Sequence, residues 1–428
     1  MHHPRLAYQS FAQQQAWQNE AMERLLRYLQ KQSPFYKKLF QQQGIVPENI
    51  RSVRDLSKLP TTTKSQIQQH NWDFLCVDKT AIREYTATSG TLGRPVTIAL
   101  TASDLKRLAY NEEQSFRCAG AQQDDTFQLM LTLDRQFMAG MAYYSGINNI
   151  GAAVVRTGPG LPAMQWETIE RLQVNSLVAV PSFILKLIEY AQANGIDLHN
   201  SPVKKAICIG DNLREQHFEL NALAQRIKQD WDIQLYGTYA STEMQTAFTE
   251  CEHGKGGHEQ PDLIITEIVD DEGNALPPGE YGEVTITTLG VEAMPLLRYR
   301  TGDIACLFDE PCACGRYSRR ISPLKGRKQQ MIKYKGTTLY PPAIFEVLNK
   351  ISMVKEYVVE VNTDELGSDT ITLYIYSEIP DENLLKRELQ SKLRVTPLFS
   401  FLTAEAMQRL QFPAVSRKPV KFVDKRSS

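Results

Sequence analysis

T-S-G-T-L-G-R-P, residues 88–95, packs two glycines, three hydroxyl side chains and a cation into eight positions between two strand-like runs. Glycine lets backbone N–H groups approach an anion without an intervening Cβ, and Ser89 and Thr91 add hydroxyl donors. The stretch is not a Walker A loop, because no Gly-Lys-Ser/Thr follows at the required spacing. Taken alone, it predicts a phosphate-binding turn or an ordinary turn between two strands.

Length and composition limit the class of protein. The chain has 428 residues, for which two or three domains are expected, and 42% hydrophobic with 23% charged residues is typical of a globular protein. A formal net charge of −1 gives no electrostatic case for nucleic acid or an anionic membrane as a partner. No apolar run reaches transmembrane length, and residues 1–19 lack the apolar core of a signal peptide. We therefore expect a cytoplasmic protein.

Short apolar runs alternate with helical patterns over the first two thirds of the chain. Strands are predicted at residues 126–133, 152–156, 176–180 and 205–209, with helices at 13–43, 182–194 and 214–229. This βαβ rhythm predicts an α/β protein with a mostly parallel sheet. Closely spaced strands follow from about residue 263, and a small α+β region begins near residue 327.

Three polar segments follow the loop in order. Y-G-T-Y-A-S-T-E, residues 236–243, follows a strand and ends in a carboxylate, a ligand that Mg²⁺ accepts. L-R-Y-R-T-G-D, residues 297–303, reads as a turn whose last carboxylate could accept bonds from ribose hydroxyls. G-R-K-Q-Q-M-I-K-Y-K-G, residues 326–336, reads as a hinge. The alternatives are a polar loop, a salt-bridged turn and a solvated linker.

Together these segments resemble the adenylate-forming superfamily of acyl-CoA synthetases, most closely its phenylacetate–CoA ligase branch. The resemblance runs from L-P-T-T-T-K, residues 59–64, to V-D-K-R, residues 423–426. It implies a large multi-layer N-terminal domain with mostly parallel sheets plus a β subdomain, residues 1–326. It also implies a small mobile α+β C-terminal domain, residues 327–428.

The resemblance assigns roles position by position. Glu243 would hold Mg²⁺, Asp303 would bind the ribose hydroxyls, and Arg327 would lie near the ribose and α-phosphate. Asp211 and Asn212 fall at the adenine-contacting turn, and Lys335 and Gly336 fall where the pantetheine arm of coenzyme A passes. The resemblance implies further ATP contacts from the loop at residues 88–95 and from Y-G-T-Y-A-S-T-E. These residues are Ser89, Gly90, Thr91, Gly93, Tyr239, Ala240, Ser241 and Thr242.

Alignment on V-D-K-R places Lys418 at the catalytic lysine of the family. A mobile ammonium there could neutralise charge between the substrate carboxylate and the α-phosphate as pyrophosphate leaves. The chain departs from the family pattern at Leu92, at Gln329 in the hinge, where an acidic residue is usual, and at Arg417, which replaces a glycine. The Gln329 substitution could alter the domain rotation.

Seven cysteines argue against a secreted disulfide framework. Cys251 and His258, with Cys312 and Cys314 in a C-x-C spacing, supply a tetrahedral set for a structural Zn²⁺ site if the two segments meet. His253 is the substitute ligand. The alternative is a group of free thiols in a polar turn.

The expected activity is a two-step ligase that uses ATP, Mg²⁺ and coenzyme A to convert a small carboxylic acid through an acyl-adenylate into a thioester. F-M-A-G-M-A-Y-Y-S-G, residues 137–146, resembles the aromatic-acid-binding segment of the branch, so Tyr143, Tyr144 and Phe183 are candidates to stack on an aryl or arylacetic acid. A carrier protein or an amine as acceptor, a non-catalytic nucleotide-binding module and a homodimer are open alternatives.

Overall fold

The structure is a computed structural model that describes residues 2–88, 95–334, 337–364, 369–413 and 419–426. The chain divides into two compact units. The larger comprises Met1–Leu220, Ala224–Thr301 and Ala305–Pro323, and the smaller comprises Asn221–Leu223, Gly302–Ile304 and Leu324–Ser428. The predicted domain boundary after residue 326 stays a prediction. Within the described ranges, no helix combines the length and the apolar character needed to cross a bilayer.

The helices lie between the predicted strands, as the βαβ pattern requires. In chain order they are α1 Phe11–Gln32, α2 Pro34–Gln43, α3 Lys64–His70, α4 Ala102–Cys118, α5 Met138–Ile150, α6 Pro162–Leu172, α7 Pro181–Ala193, α8 Ala222–Asp230, α9 Pro341–Lys350, α10 Glu382–Leu393 and α11 Ala404–Gln411.

The strands are short before residue 263 and more closely spaced after it. In chain order they are β1 Ile82–Ala87, β2 Thr97–Thr101, β3 Thr126–Leu129, β4 Ala153–Arg156, β5 Ser176–Ala179, β6 Lys205–Ile209, β7 Gln234–Ser241, β8 Thr246–Thr249, β9 Gly257–His258, β10 Ile264–Val269, β11 Gly282–Thr288, β12 Tyr299–Ala305, β13 Leu307–Phe308, β14 Arg320–Ile321, β15 Gly326–Arg327, β16 Ile332–Tyr334, β17 Thr337–Leu339, β18 Glu356–Thr363, β19 Asp369–Tyr376, β20 Leu398–Phe401 and β21 Phe422–Asp424.

Nine of the described strands form the central sheet of the larger unit, in the order β13-β14-β9-β8-β7-β6-β5-β3-β4. From β4 to β7 the neighbours are parallel, and from β7 to β13 they are antiparallel. β1 and β2 pair as an antiparallel hairpin on either side of the first loop, and β10 pairs antiparallel with β11. The predicted α/β architecture with a mostly parallel sheet and added β structure is confirmed.

Both faces of the parallel part of the sheet are covered by helices. Leu177 and Ala206 belong to a buried cluster that includes Trp166 and Trp231, whose rings lie 5.1 Å apart. The alternate residues of the same strands belong to a second cluster with residues of α4 and α5. Strands covered on both faces read as continuous apolar runs, which is why the sequence predicts them well.

Three predicted segments differ from the structure. The helix expected at residues 214–229 begins only at Ala222, because Arg214 forms a β-bridge with Leu220 and Phe218 adopts a left-handed φ of 69°. The polar segment after residue 235 is part of β7, because residues 238–241 pair with β8. The turn expected at residues 297–303 is largely β12.

The smaller unit contains a sheet in the order β20-β19-β18-β21. β18 and β19 are antiparallel, and each also pairs with a parallel edge strand. The inward side chains form one buried cluster with α9 and α10, including Leu348, Leu373 and Leu389. This is the small α+β fold that the resemblance implies.

α4 and α5 approach closely at one glycine. A Cβ placed on Gly146 of α5 would lie 2.4 Å from the Cβ of Glu112 and 2.9 Å from the Glu112 carbonyl carbon on α4. No larger residue fits there without moving a helix backbone, so Gly146 fixes the distance between the two helices.

We expect Gly146→Ala to lower the free energy of unfolding by about 1–3 kcal/mol, because overpacking at a helix crossing outweighs the helix propensity gained by alanine. Gly44→Ala is the control: a Cβ there meets nothing within 4 Å, and only the left-handed backbone is strained. Chemical denaturation of both variants measures the difference. A Gly146→Ala protein as stable as the wild type would contradict the close approach.

Candidate functional site

The polar segment Y-G-T-Y-A-S-T-E, residues 236–243, lies mostly on β7 in the middle of the central sheet. β7 pairs parallel with β6 on one side and antiparallel with β8 on the other. Tyr239 packs on Phe248 with the ring centroids 5.7 Å apart, Ala240 is exposed, and Ser241 and Thr242 are half-buried. The segment therefore presents polar groups beyond the carboxyl ends of the parallel strands, where α/β sheets bind ligands.

Glu243 follows this strand and is buried, with 5% of its surface exposed. Its Oε1 lies 3.2 Å from Nζ of Lys64 and accepts a hydrogen bond of 3.3 Å from the hydroxyl of Tyr299. Lys64 is the first residue of α3, which Thr63 caps through the backbone N–H of Gln66. A buried carboxylate with a cation beside it matches the role that the resemblance assigns to Glu243, and the sequence interpretation did not single out Lys64.

A short strap places Lys64 against Glu243. The N–H of Thr62 donates to the carbonyl of Arg298 at 2.9 Å, and the N–H of Arg300 donates to the carbonyl of Thr62 at 2.8 Å. The Thr62 hydroxyl also donates to the carbonyl of Leu297 at 2.8 Å. The segments L-P-T-T-T-K and L-R-Y-R-T-G-D, far apart in sequence, are thereby joined.

The two arginines of L-R-Y-R-T-G-D, residues 297–303, have structural partners. The guanidinium of Arg298 is buried and donates to both carboxylate oxygens of Glu267, at 3.0 and 2.9 Å. Arg300 donates to Glu283 at 2.8 Å. Both arginines therefore pair with acidic residues of β10 and β11, and neither of these two ion pairs involves Asp303.

Asp303 and Arg327 lie together in the smaller unit. Their backbones face each other in the β12–β15 pairing, and Nε of Arg327 is 3.3 Å from Oδ1 of Asp303. The carboxylate is buried, whereas about half of the arginine side chain is exposed. An acceptor and a cation side by side suit recognition of ribose hydroxyls and a phosphate.

Asp211 and Asn212 follow the carboxyl end of β6, after Gly210, whose φ is 84°. Asp211 is exposed and Asn212 is half-buried. β6 and β7 are adjacent parallel strands, so this turn lies at the same edge of the sheet as the polar part of β7. That position is consistent with the adenine role that the resemblance implies.

The three aromatic candidates for the acid pocket are not brought together. Tyr143 is buried, with its ring 5.5 Å from that of Phe116, and Tyr144 lies below the guanidinium of Arg156 at 5.5 Å. Both belong to the cluster on the α4–α5 face of the sheet. Phe183 packs instead against the cluster of the other face. Stacking of all three on one ring stays a prediction.

Seven predicted site residues lie outside the described ranges, and their roles stay predictions: Ser89, Gly90, Thr91, Gly93, Lys335, Gly336 and Lys418.

The predicted cysteine and histidine ligands do meet. Single ligand atoms of Cys251, His258, Cys312 and Cys314 lie within 4.8 Å of one another. The Sγ atoms of Cys251 and Cys312 are 3.7 Å apart, and Sγ of Cys314 is 3.5 Å from Nε2 of His258. His253, the substitute, is not in this group. The donor set and its compactness fit a tetrahedral metal ion.

The surroundings favour the metal-binding protonation states of His258 and Cys314, whereas burial raises the pKa of the Cys251 thiol. Burial lowers the pKa of His258 to about 3, so its imidazole is neutral at pH 7. Burial raises the pKa of the Cys314 thiol, but hydrogen bonds from Arg316 to its sulfur outweigh that effect and lower the pKa overall. The N-terminal segment covers this group, because Tyr317 and Ser318 both donate backbone N–H groups to the carbonyl of Ala7.

Known proteins resemble this chain in sequence and in fold. The chain is 29% identical over 370 residues to the phenylacetate-coenzyme A ligase of Thermus thermophilus, covering 85% of this chain and 82% of that protein. It is 27% identical over 355 residues to the Escherichia coli enzyme of the same name, covering 81% and 79% of the two chains. The fold matches 2-hydroxyisobutyryl-CoA ligase with a TM-score of 0.86 at 19% identity, covering 99% of this chain and 92% of that one. The model of the AMP-binding enzyme family matches residues 45–293, more than half of the chain. The chain belongs to the AMP-binding enzyme family.

Proposed function

We propose that this protein is an AMP-forming acid–CoA ligase acting on an aryl or arylacetic acid. The observation that carries the proposal is the buried carboxylate of Glu243 at the end of β7, with Nζ of Lys64 3.2 Å away. Relatives that are named phenylacetate-coenzyme A ligases match over most of the chain and support the choice of acid and acceptor.

Glu243 would hold Mg²⁺, because a buried carboxylate oxygen is a preferred ligand of this hard cation. The bound ion would neutralise charge on the phosphate oxygens of ATP. Lys64, whose Nζ lies 3.2 Å from Glu243, would supply a positive charge for the triphosphate. The Lys64–Glu243 ion pair would thus be replaced by an attraction between Glu243 and Mg²⁺ and an attraction between Lys64 and phosphate.

In the first step a carboxylate oxygen of the acid attacks the α-phosphorus of ATP, and the bond from that phosphorus to pyrophosphate breaks. Lys418 would neutralise the charge that develops there. Asp303 would accept hydrogen bonds from the ribose hydroxyls, and Arg327 beside it would contact the phosphate. Asp211 and Asn212 would border the adenine.

In the second step the thiol sulfur of coenzyme A attacks the acyl carbon, AMP leaves, and the thiol proton passes to solvent. Formation of the adenylate turns a poor leaving group into AMP. Lys335 and Gly336 would line the path of the pantetheine arm. Coenzyme A is preferred over a carrier protein because the curated relatives that match most of the chain carry coenzyme A in their names.

We also propose a structural Zn²⁺ ion held by Cys251, His258, Cys312 and Cys314. The four donors are compact, and three of these residues are buried. A closed set of four protein ligands leaves no open position, so the ion would connect two segments of chain and take no part in the reaction.

Lys64→Ala should lower the rate of carboxylate-dependent ATP–pyrophosphate exchange by about 10- to 100-fold, and Glu243→Gln by at least about 100-fold, because both remove charge stabilisation of the triphosphate. Lys58→Ala is the matched control, since Lys58 is exposed and pairs with Asp55 in the same region. Wild-type exchange in Lys64→Ala would remove the role assigned to that lysine. Absence of exchange with every aryl and fatty acid in a panel would refute the proposed activity.

Lys418→Ala should abolish adenylate formation but spare thioester formation from a supplied acyl-adenylate, because the lysine acts only while pyrophosphate leaves. Lys425→Ala is the control in the same tail, where Lys425 pairs with Glu360 at 2.7 Å. The two half-reactions are followed separately by pyrophosphate release and by thioester absorbance. Equal loss of both half-reactions would contradict this assignment.

Protein purified without chelator should contain about one zinc ion per chain, and Cys312→Ala should lose it, because a closed tetrahedral site needs all four ligands. Cys208→Ala, which removes a buried thiol elsewhere, should retain the metal. Elemental analysis measures the metal. Limited proteolysis should show faster cleavage near Ala7 in Cys312→Ala. A metal-free wild-type protein would rule the site out.

A further inference from the structure

Glu112 of α4 is a buried acid with an unused oxygen. Its side chain is 95% buried, and its Oε1 accepts a hydrogen bond of 2.9 Å from the amide of Asn111. Its Oε2 is fully buried and has no hydrogen-bond partner among the described residues. A buried polar atom without a partner is destabilising, so a group that is retained there calls for an explanation.

The position of Glu112 connects it to the segment that the resemblance assigns to the acid. It packs against α5 at Gly146, and Tyr143 lies one turn earlier on the same helix. Phe116, one turn further along α4, contacts the Tyr143 ring. The carboxyl group therefore lies in an aromatic-lined layer behind residues 137–146.

The surroundings of the Glu112 carboxyl group favour its neutral form. Burial raises the pKa of Glu112 to about 8, and the hydrogen bond from Asn111 offsets this only in part. A neutral carboxyl group both donates and accepts hydrogen bonds, as a hydroxyl group does. A ligand hydroxyl group can therefore form a hydrogen bond with the carboxyl group of Glu112, whereas a purely apolar ligand would leave Oε2 without a partner.

A second buried polar side chain, on a segment that α4 contacts, has the same property. Gln245 follows Glu243 by two residues, is 1% exposed, and has neither amide atom bonded within the described part of the chain. α4 holds its backbone, because Arg107 donates to the Gln245 carbonyl at 2.6 Å, while Asn111 accepts from Ala247 at 3.1 Å. The segment bonded to α4 thus carries a second buried side chain without a hydrogen-bond partner among the described residues.

We propose that Glu112 is a specificity-determining residue that binds a hydroxyl group at the distal end of the acid, so the preferred substrate is a hydroxylated aryl or arylacetic acid. This inference rests on the proposed ligase function. A methyl group in place of the hydroxyl has a similar size but cannot bond, so it leaves the carboxyl oxygen unpaired.

The test compares kcat/KM for phenylacetates that carry a hydroxyl or a methyl group at the ortho, meta or para position. For the best ring position, the wild type should prefer the hydroxyl compound by about 10- to 100-fold, as expected when a site built to bond a hydroxyl meets an analogue without one. Glu112→Leu should remove or reverse this preference. Glu112→Gln, which keeps a neutral donor and acceptor, should preserve it within a few-fold.

Glu113→Gln is the matched control, because the neighbouring Glu113 faces outward and pairs with Arg117. It should leave the hydroxyl-to-methyl ratio at the wild-type value. If Glu112→Leu does not fold, the wild type and Glu112→Gln still decide the matter. A wild-type ratio at or below one at every ring position, or a ratio unchanged in Glu112→Leu, overturns the proposal while acid-dependent exchange keeps the ligase function. Absence of exchange with any acid overturns both.

Discussion

The backbone of Thr62 is bonded on both sides to the chain at Arg298 and Arg300, and the candidate site of the larger unit depends on this pairing. It is reinforced by the Arg298 guanidinium, which is buried against Glu267 and also donates to the carbonyls of Leu59 and Gly273. Removing one member of a buried ion pair costs about 3–5 kcal/mol, because the other charge is left without compensation. The position of α3, and therefore of Lys64, follows from these bonds.

The same constraint explains why the polar stretch L-R-Y-R-T-G-D, residues 297–303, is not a loop. L-R-Y-R-T-G-D is held as a strand because its backbone groups pair with Thr62 and with Arg327, while its arginines pair with acids on β10 and β11. Asp303, the acidic residue of this segment, pairs instead with Arg327. Structural and ligand-binding duties are thus divided among residues that stand next to each other in the chain.

The sequence predicted the fold well where burial is two-sided, since β6 begins and ends where the apolar run at residues 205–209 places it. It failed at residues 214–221, where a long-range ion pair between Arg214 and Glu250 and the left-handed Phe218 override helical periodicity. The cysteine and histidine group was predictable from spacing and residue type. The sequence did not predict the roles of Lys64, Glu112 and Gln245, because these roles depend on which groups lie near them in the folded protein.

The cluster of Cys251, His258, Cys312 and Cys314 also has a topological consequence. Its ligands enclose the chain from residue 251 to residue 314, which carries β10, β11 and β12. A metal that closes so long a loop reduces the freedom of the unfolded chain much as a covalent cross-link does. The segment that carries Glu267, Arg298 and Asp303 would then unfold cooperatively, because the metal ties its two ends together.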